Sequence, residues 1–175
     1  MLYRFIIELS NIDREVYETL DFRVSQHPSE IPSYLLTRTL AYSLSYQEGL
    51  SFSDEGLSNP DAPGLIKYGL HQSVDLWIEI GNASSRKLHK ATKTARQVQV
   101  YTYKSPTVLM NDIKANDVHR AQDIEIFAFD EKFISALEKN LEKNNRWSIV
   151  VQQNQITISI KDLSIVSEIH AFKLT

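Results

Sequence analysis

Val74-Asp75-Leu76-Trp77-Ile78-Glu79-Ile80-Gly81, followed by a Lys-rich run from Ser84 to Gln97, is the stretch whose reading decides the fold. Its alternation predicts a β-strand with Val74, Leu76, Ile78 and Ile80 on one face and Asp75, Trp77 and Glu79 on the other. The first face is apolar throughout and must pack. The second carries two carboxylates around an indole, an unusual choice in so hydrophobic a strand. Gly81 ends the strand, and Ser84 or Ser85 caps a helix bearing Arg86, Lys87, Lys90 and Lys93. Acids on a strand, facing bases on the next helix, form the one arrangement in the chain that could carry chemistry.

Outward from this unit the chain alternates. Leu2–Leu9 and Val16–Ser25 read as a hairpin across Ser10-Asn11-Ile12-Asp13. A helix runs from about Ser29 to Gln47, with Pro32 in its first turn, and Gly49 ends it. Leu50–Ser53 is a short strand. The segment from Ser53 to Gln72 is an irregular excursion rich in Gly, Pro, Asp and Asn, with a short strand near Leu65–Leu70. After the central strand and its helix come a buried parallel strand Val98–Tyr103, a helix Pro106–Ala115 and a strand Ile124–Phe129. Asp130 caps a helix to Lys143, and Trp147–Val151 with Gln155–Ile160 forms a second hairpin. Ser164–Lys173 is a final strand-like piece. The class is mixed α/β, one domain over residues 1–175 with flanking antiparallel N- and C-terminal hairpins.

Composition excludes several functions. The 175 residues, 42% hydrophobic and 23% charged, suit a globular protein with a sizeable core. A net charge of −3 supplies no global field toward nucleic acid or anionic membrane, so a nucleic-acid contact requires a local basic patch. The absence of cysteine removes disulfides, thiolate metal sites and thiol nucleophiles, and is consistent with a reducing cytoplasm. No run approaches the roughly 20 apolar residues of a membrane helix. Met1–Leu9 is followed by Asp13-Arg14-Glu15 and reads as a strand, not a signal peptide. A cytoplasmic protein without membrane contact is expected. No Gly-rich phosphate loop, zinc signature or Ser-His-Asp pattern is visible.

His27-Pro28-Ser29-Glu30, Trp77-Ile78-Glu79-Ile80-Gly81 and Leu88-His89-Lys90-Ala91, in that order, resemble the YaeQ family of small bacterial proteins across essentially the whole chain. That family is similar in fold to the PD-(D/E)xK, or restriction-endonuclease-like, nucleases. The resemblance implies a core of helix, three strands, helix and strand over about residues 27–104. It also implies phosphodiester hydrolysis with Mg²⁺ held by carboxylates and a lysine that positions water.

Residue by residue, the (D/E)xK element falls on Glu79-Ile80-Gly81, whose carboxylate is present and whose lysine is not. The resemblance offers Lys90 as the replacement and Lys87 as the second choice. The PD element is matched by Pro60-Asp61, with Asp75 competing; Asp75 and Glu79 lie about 13 Å apart along the strand and cannot share one ion. Glu30 matches an additional acidic ligand, and Lys87, Lys93 and Arg38 are candidate phosphate-binding residues.

Each of these residues also has a plainer reading. Glu79 pairs structurally with Lys90 or Arg86, the lysines form a solvated face, Asp61 caps a turn, and Glu30 favours a helix N-terminus. His27 reads as hydrogen-bonded structure, and Trp77, Tyr101 and Tyr103 as core rather than base-stacking surfaces. The function expected is therefore a Mg²⁺-dependent nuclease. The alternative is an inactive module of the same fold that binds nucleic acid or a protein of the transcription or repair machinery.

Overall fold

A computed structural model describes residues 1–54 and 59–175. Among these residues the chain forms β1 (Leu2–Asn11), β2 (Val16–Ser25), α1 (Pro32–Leu44), β3 (Ser51–Phe52), β4 (Leu65–Tyr68), β5 (Val74–Ile80) and α2 (Ser85–Thr94). It continues with β6 (Ala95–Thr102), α3 (Pro106–Ala115), β7 (Glu125–Phe129), α4 (Glu131–Lys139), β8 (Asn144–Gln152), β9 (Gln155–Ile160) and β10 (Leu163–Phe172). Residues 55–58, within the excursion read as irregular from the sequence, lie outside the described residues.

All ten strands join one sheet in the order β2-β1-β8-β9-β10-β7-β6-β5-β4-β3. The last strand makes this continuity possible. Residues 163–168 pair antiparallel with β9, and residues 169–172 pair antiparallel with β7. The segment least legible in the sequence is thus the seam of the molecule. The two hairpins are not separate flanks either, because β1 runs parallel to β8 and fuses them into one wing. The strand predicted as buried and parallel, β6, lies between two parallel neighbours, β5 and β7.

Two apolar clusters cover opposite faces of β5. Leu76, Ile78 and Ile80 pack in the larger one with Leu35, Leu36 and Leu40 of α1, Phe133 and Leu137 of α4, and Phe5, Trp147 and Ile158 of the wing. Trp77 belongs to the other, with Leu88 and Ala91 of α2 and Leu109 and Ile113 of α3. Burying each such side chain contributes about 1.5–3 kcal/mol. A one-residue slip of β5 would drive Glu79 into the larger cluster, so register is firmly set.

Several boundaries differ from the sequence reading, each for a tertiary reason. α2 stops at Thr94 and β6 begins at Ala95, not Val98. Arg120 donates to the carbonyls of Thr92 (3.2 Å), Ala95 (3.5 Å) and Arg96 (3.1 Å), holding the chain where local propensity would continue the helix. α1 ends at Leu44 rather than Gln47, since Ser45 leaves the helix and its hydroxyl meets Gln99 Oε1 at 2.8 Å. α4 ends at Lys139 rather than Lys143. The Asn140 amide donates to Ala136 O (2.8 Å) and Asn145 bonds the Glu142 backbone, so β8 starts early.

Candidate functional site

Glu79 sits near the C-terminal end of β5 with only 2% of its surface exposed. Two groups hold its carboxylate. Trp77, two residues earlier on the same strand face, donates its indole N–H to Oε1 at 2.7 Å. Lys87 places Nζ 3.0 Å from Oε2. Lys87 lies in the first turn of α2, where Ser84 Oγ accepts its backbone N–H at 3.2 Å, so the helix cap also fixes the lysine. Burial pushes the Glu79 carboxyl above the usual carboxylate range, while Lys87 and the indole N–H pull it back.

The lysine that meets Glu79 is Lys87, the second choice that the resemblance offered, and not Lys90. Helix geometry gives the reason. α2 runs back along β5, so its first turn lies beside the strand's end, and three residues later the chain has advanced about 4.5 Å and turned about 60° away. Lys90 and Lys93 are exposed and do not reach Glu79. The backbone also disfavours the motif lysine at position 81. Gly81 has φ +80°, the left-handed region that disfavours any side chain with a Cβ.

Asp61 comes to the same helix turn by another route. Its Oδ1 meets Arg86 Nη2 at 3.1 Å, in an exposed pair. Since Arg86 and Lys87 are consecutive, both carboxylates are tied to the first turn of α2. Asp75, the competing candidate, is at the far end of β5. Its carboxylate packs against Gly69 so closely that no Cβ would fit there.

Glu30 and Arg38 form a buried pair of their own. Arg38 Nη2 lies 3.0 Å from each Glu30 oxygen and from Ser25 O, and the guanidinium stands 5.6 Å from the Phe52 ring centroid. Glu30 Oε1 also accepts the His27 N–H at 3.1 Å, so the His27-Pro28-Ser29-Glu30 string is a turn closed by its own acid. His27 Nδ1 bonds Ser29 Oγ at 2.7 Å. At 7% exposure Arg38 is not presented to a phosphate backbone.

Tyr34, which the sequence reading passed over, feels the charge of both pairs. Burial pushes its hydroxyl up to about 12, the negative charge of Glu79 adds to the rise, Arg38 opposes it, and Glu30 and Tyr103 contribute further. Burial and then Glu30 raise Tyr103. The signal available in the sequence was positional: the start of α1 and the end of β6 both lie at the C-terminal end of β5.

Among the described residues no three acidic or imidazole side chains converge as a ready metal cage. Mg²⁺ is commonly held by one or two carboxylates with water completing its shell. Asp61 and Glu79 fit that donor chemistry, and each now faces a base that a cation would displace.

The model of the YaeQ protein family matches residues 1–169. The uncharacterized protein YaeQ of Escherichia coli (strain K12) is 31% identical over 104 residues, a region spanning 59% of this chain and 57% of that protein's length. That of Salmonella typhi matches at 31% identity with the same coverage. The crystal structure of a YaeQ protein from Xanthomonas axonopodis pv. citri superposes with a TM-score of 0.90 at 24% identity, covering 99% of this chain and 98% of that one. One from Pseudomonas syringae gives 0.89 at 23% identity, covering 100% and 97%. These structures share the fold.

Proposed function

The chain belongs to the YaeQ family, and from that premise we propose that it hydrolyses phosphodiester bonds in nucleic acid at a rearranged PD-(D/E)xK site. The residues are Asp61, Glu79 and Lys87. The observation that carries the reading is the Lys87–Glu79 contact of 3.0 Å at the strand–helix junction, with Asp61 tied to the adjacent Arg86. The succession α1, β3, β4, β5, α2, β6 over residues 27–104 supports it, being the helix, three-strand, helix, strand order of that nuclease core.

In this reading Asp61 and Glu79 would hold a divalent cation, which when bound would supply charge neutralisation and activation of water. Trp77 keeps the Glu79 carboxylate oriented through its indole N–H. Lys87, freed from Glu79, donates to the attacking water or to the phosphate oxygen that gains charge. Lys90 and Lys93, exposed further along α2, offer cations to the phosphate backbone of an approaching strand.

The test is cleavage of plasmid DNA and of single-stranded DNA and RNA with Mg²⁺ or Mn²⁺. Wild type cleaves, Glu79→Gln and Lys87→Met lose at least about 100-fold in turnover, and Lys90→Met keeps the turnover while weakening substrate binding. If neither cation supports cleavage or raises the melting temperature of the wild type, the reading fails.

The near-complete burial of Glu79, with both oxygens already bonded, favours a second reading. In it the fold serves as a binding module without hydrolysis. Oligonucleotide affinity that falls steeply with salt, in the absence of cleavage, distinguishes it.

A further inference from the structure

A cavity of about 380 Å³ opens at the other end of the sheet, between the β1–β2 turn, the end of α1 and the first halves of β6 and β7. It is separate from the Glu79 cluster. β6 directs Gln97, Gln99 and Tyr101 to its wall, while Val98 and Val100, on the strand's opposite face, pack with α2 and α3. The volume is that of a small-molecule site.

One wall is apolar: Leu44, Phe127, Val151 and Ile169. A connected polar network runs beside it, with Phe127 stacked on Tyr101 at 4.9 Å between ring centroids. Ser45 Oγ donates to Gln99 Oε1 at 2.8 Å and lies 2.6 Å from the Tyr101 hydroxyl. Gln97 and Gln99 direct their amide N–H groups to Glu125 Oε1, at 2.6 and 3.5 Å. Each group fixes the next, so the wall is pre-organised.

Two charges remain unmatched. Arg14, at the mouth, donates Nη1–H to Leu44 O at 2.7 Å and meets no carboxylate among the described residues. Glu125, half-buried, meets only amide donors among the described residues. Asp13, also at the rim, accepts the backbone N–H groups of Gln153 and Asn154 at 2.6 and 2.9 Å. Arg14 and Glu125 both line the cavity, together with the buried Tyr101 hydroxyl. Opposite charges thus address the same space beside an apolar wall.

We propose that this cavity binds a small zwitterion with an apolar body, the chemistry of a free aliphatic α-amino acid. The carboxylate meets Arg14, the ammonium meets Glu125, and the side chain lies on Leu44, Phe127, Val151 and Ile169. Charge-assisted hydrogen bonds at both ends give orientation. A ligand without an ammonium leaves the half-buried Glu125 on amide donors, and one without a carboxylate forgoes the charge-assisted bond to Arg14, which is the basis of selectivity.

The experiment uses the full chain, with thermal shift and calorimetry on L-leucine, leucine methyl ester and 4-methylpentanoate. L-leucine at tenfold its Kd raises the melting temperature by about 3–5 °C. The two single-charge analogues give less than a third of that shift. Glu125→Gln, which still accepts from Gln97 and Gln99, and Arg14→Gln each weaken leucine at least about 10-fold; either variant suffices if the other fails to fold. The proposal is overturned if leucine gives no response up to about 20 mM. It is equally overturned if the three compounds bind alike, or if a folded variant binds leucine as the wild type does.

Discussion

Lys87→Met removes one ammonium and leaves the rest of the site in place. Glu79, 2% exposed, then keeps only the indole N–H of Trp77 as a partner. Removing one member of a buried ion pair costs about 3–5 kcal/mol because the remaining charge is stranded. Lys87 keeps 20% of its side chain in water, so solvent already screens one end of the pair and the cost falls to about 2–3 kcal/mol at pH 8. The stranded carboxylate has an escape, which is to take up a proton.

The sign of the pH dependence follows. Burial raises the Glu79 carboxyl in the folded state above its unfolded value. Its contribution to stability is then fully present below the unfolded carboxyl pKa and is lost as pH rises through the folded one. Without Lys87 the folded value rises further. The variant should lie within about 1 kcal/mol of wild type at pH 5 and fall away toward pH 8, by at most about 1.4 kcal/mol per pH unit for one proton. Urea unfolding followed by circular dichroism at pH 5, 6.5 and 8 measures this directly. A loss that is the same at all three pH values would refute the reasoning, since it would mean that Lys87 contributes packing and not neutralisation. Glu79→Gln placed on Lys87→Met should abolish the added pH slope.

Three further outcomes are expected. Glu30→Gln weakens the buried contact to Arg38 and should cost about 3 kcal/mol in urea; Glu30→Leu combined with Arg38→Met should recover part of it, because apolar replacement of a buried pair is often neutral. Asp61→Asn breaks an exposed pair and should change stability by less than about 1 kcal/mol, while abolishing any metal-dependent cleavage, so that stability and activity separate in one variant. Gly81→Lys restores the motif lysine in sequence but forces a left-handed backbone, costing about 1–2 kcal/mol without adding activity; a gain in cleavage would show that the turn rearranges.

What was legible in the sequence was local. The alternation of β5 assigned Val74, Leu76, Ile78 and Ile80 to one core and Trp77 to the other side; all hold but Val74, which packs with Trp77's cluster where the pairing with β4 shifts register. Ser84 was available as a cap and serves as one. What was not legible depends on residues distant in the chain. Arg120 ends α2 three residues before periodicity would, and β10 becomes the seam only because two strands, β9 and β7, await it. Glu30 and Arg38 look like a helix-start acid and a surface base until the hairpin end at Ser25 and the ring of Phe52 enclose them.

The choice between Lys87 and Lys90 falls between these extremes, and geometry decides it from a few residues. Glu79 is two positions before Gly81, whose φ of +80° disfavours a lysine there. The helix that follows brings the base to that acid. Ser84 fixes the start of that helix by capping Lys87 N–H, and the helix must return along β5 to bury Leu88 and Ala91. Each residue beyond the first turn then moves farther from the strand's end, by about 1.5 Å. With Leu88 facing the core, Lys87 is the first-turn base that borders that buried face, while Arg86 stays in solvent on Asp61. The acid–lysine pair of this chain is thus set by a glycine, a serine cap and one apolar stripe, and moving the cap by one residue would rotate Lys87 by about 100° and part it from Glu79.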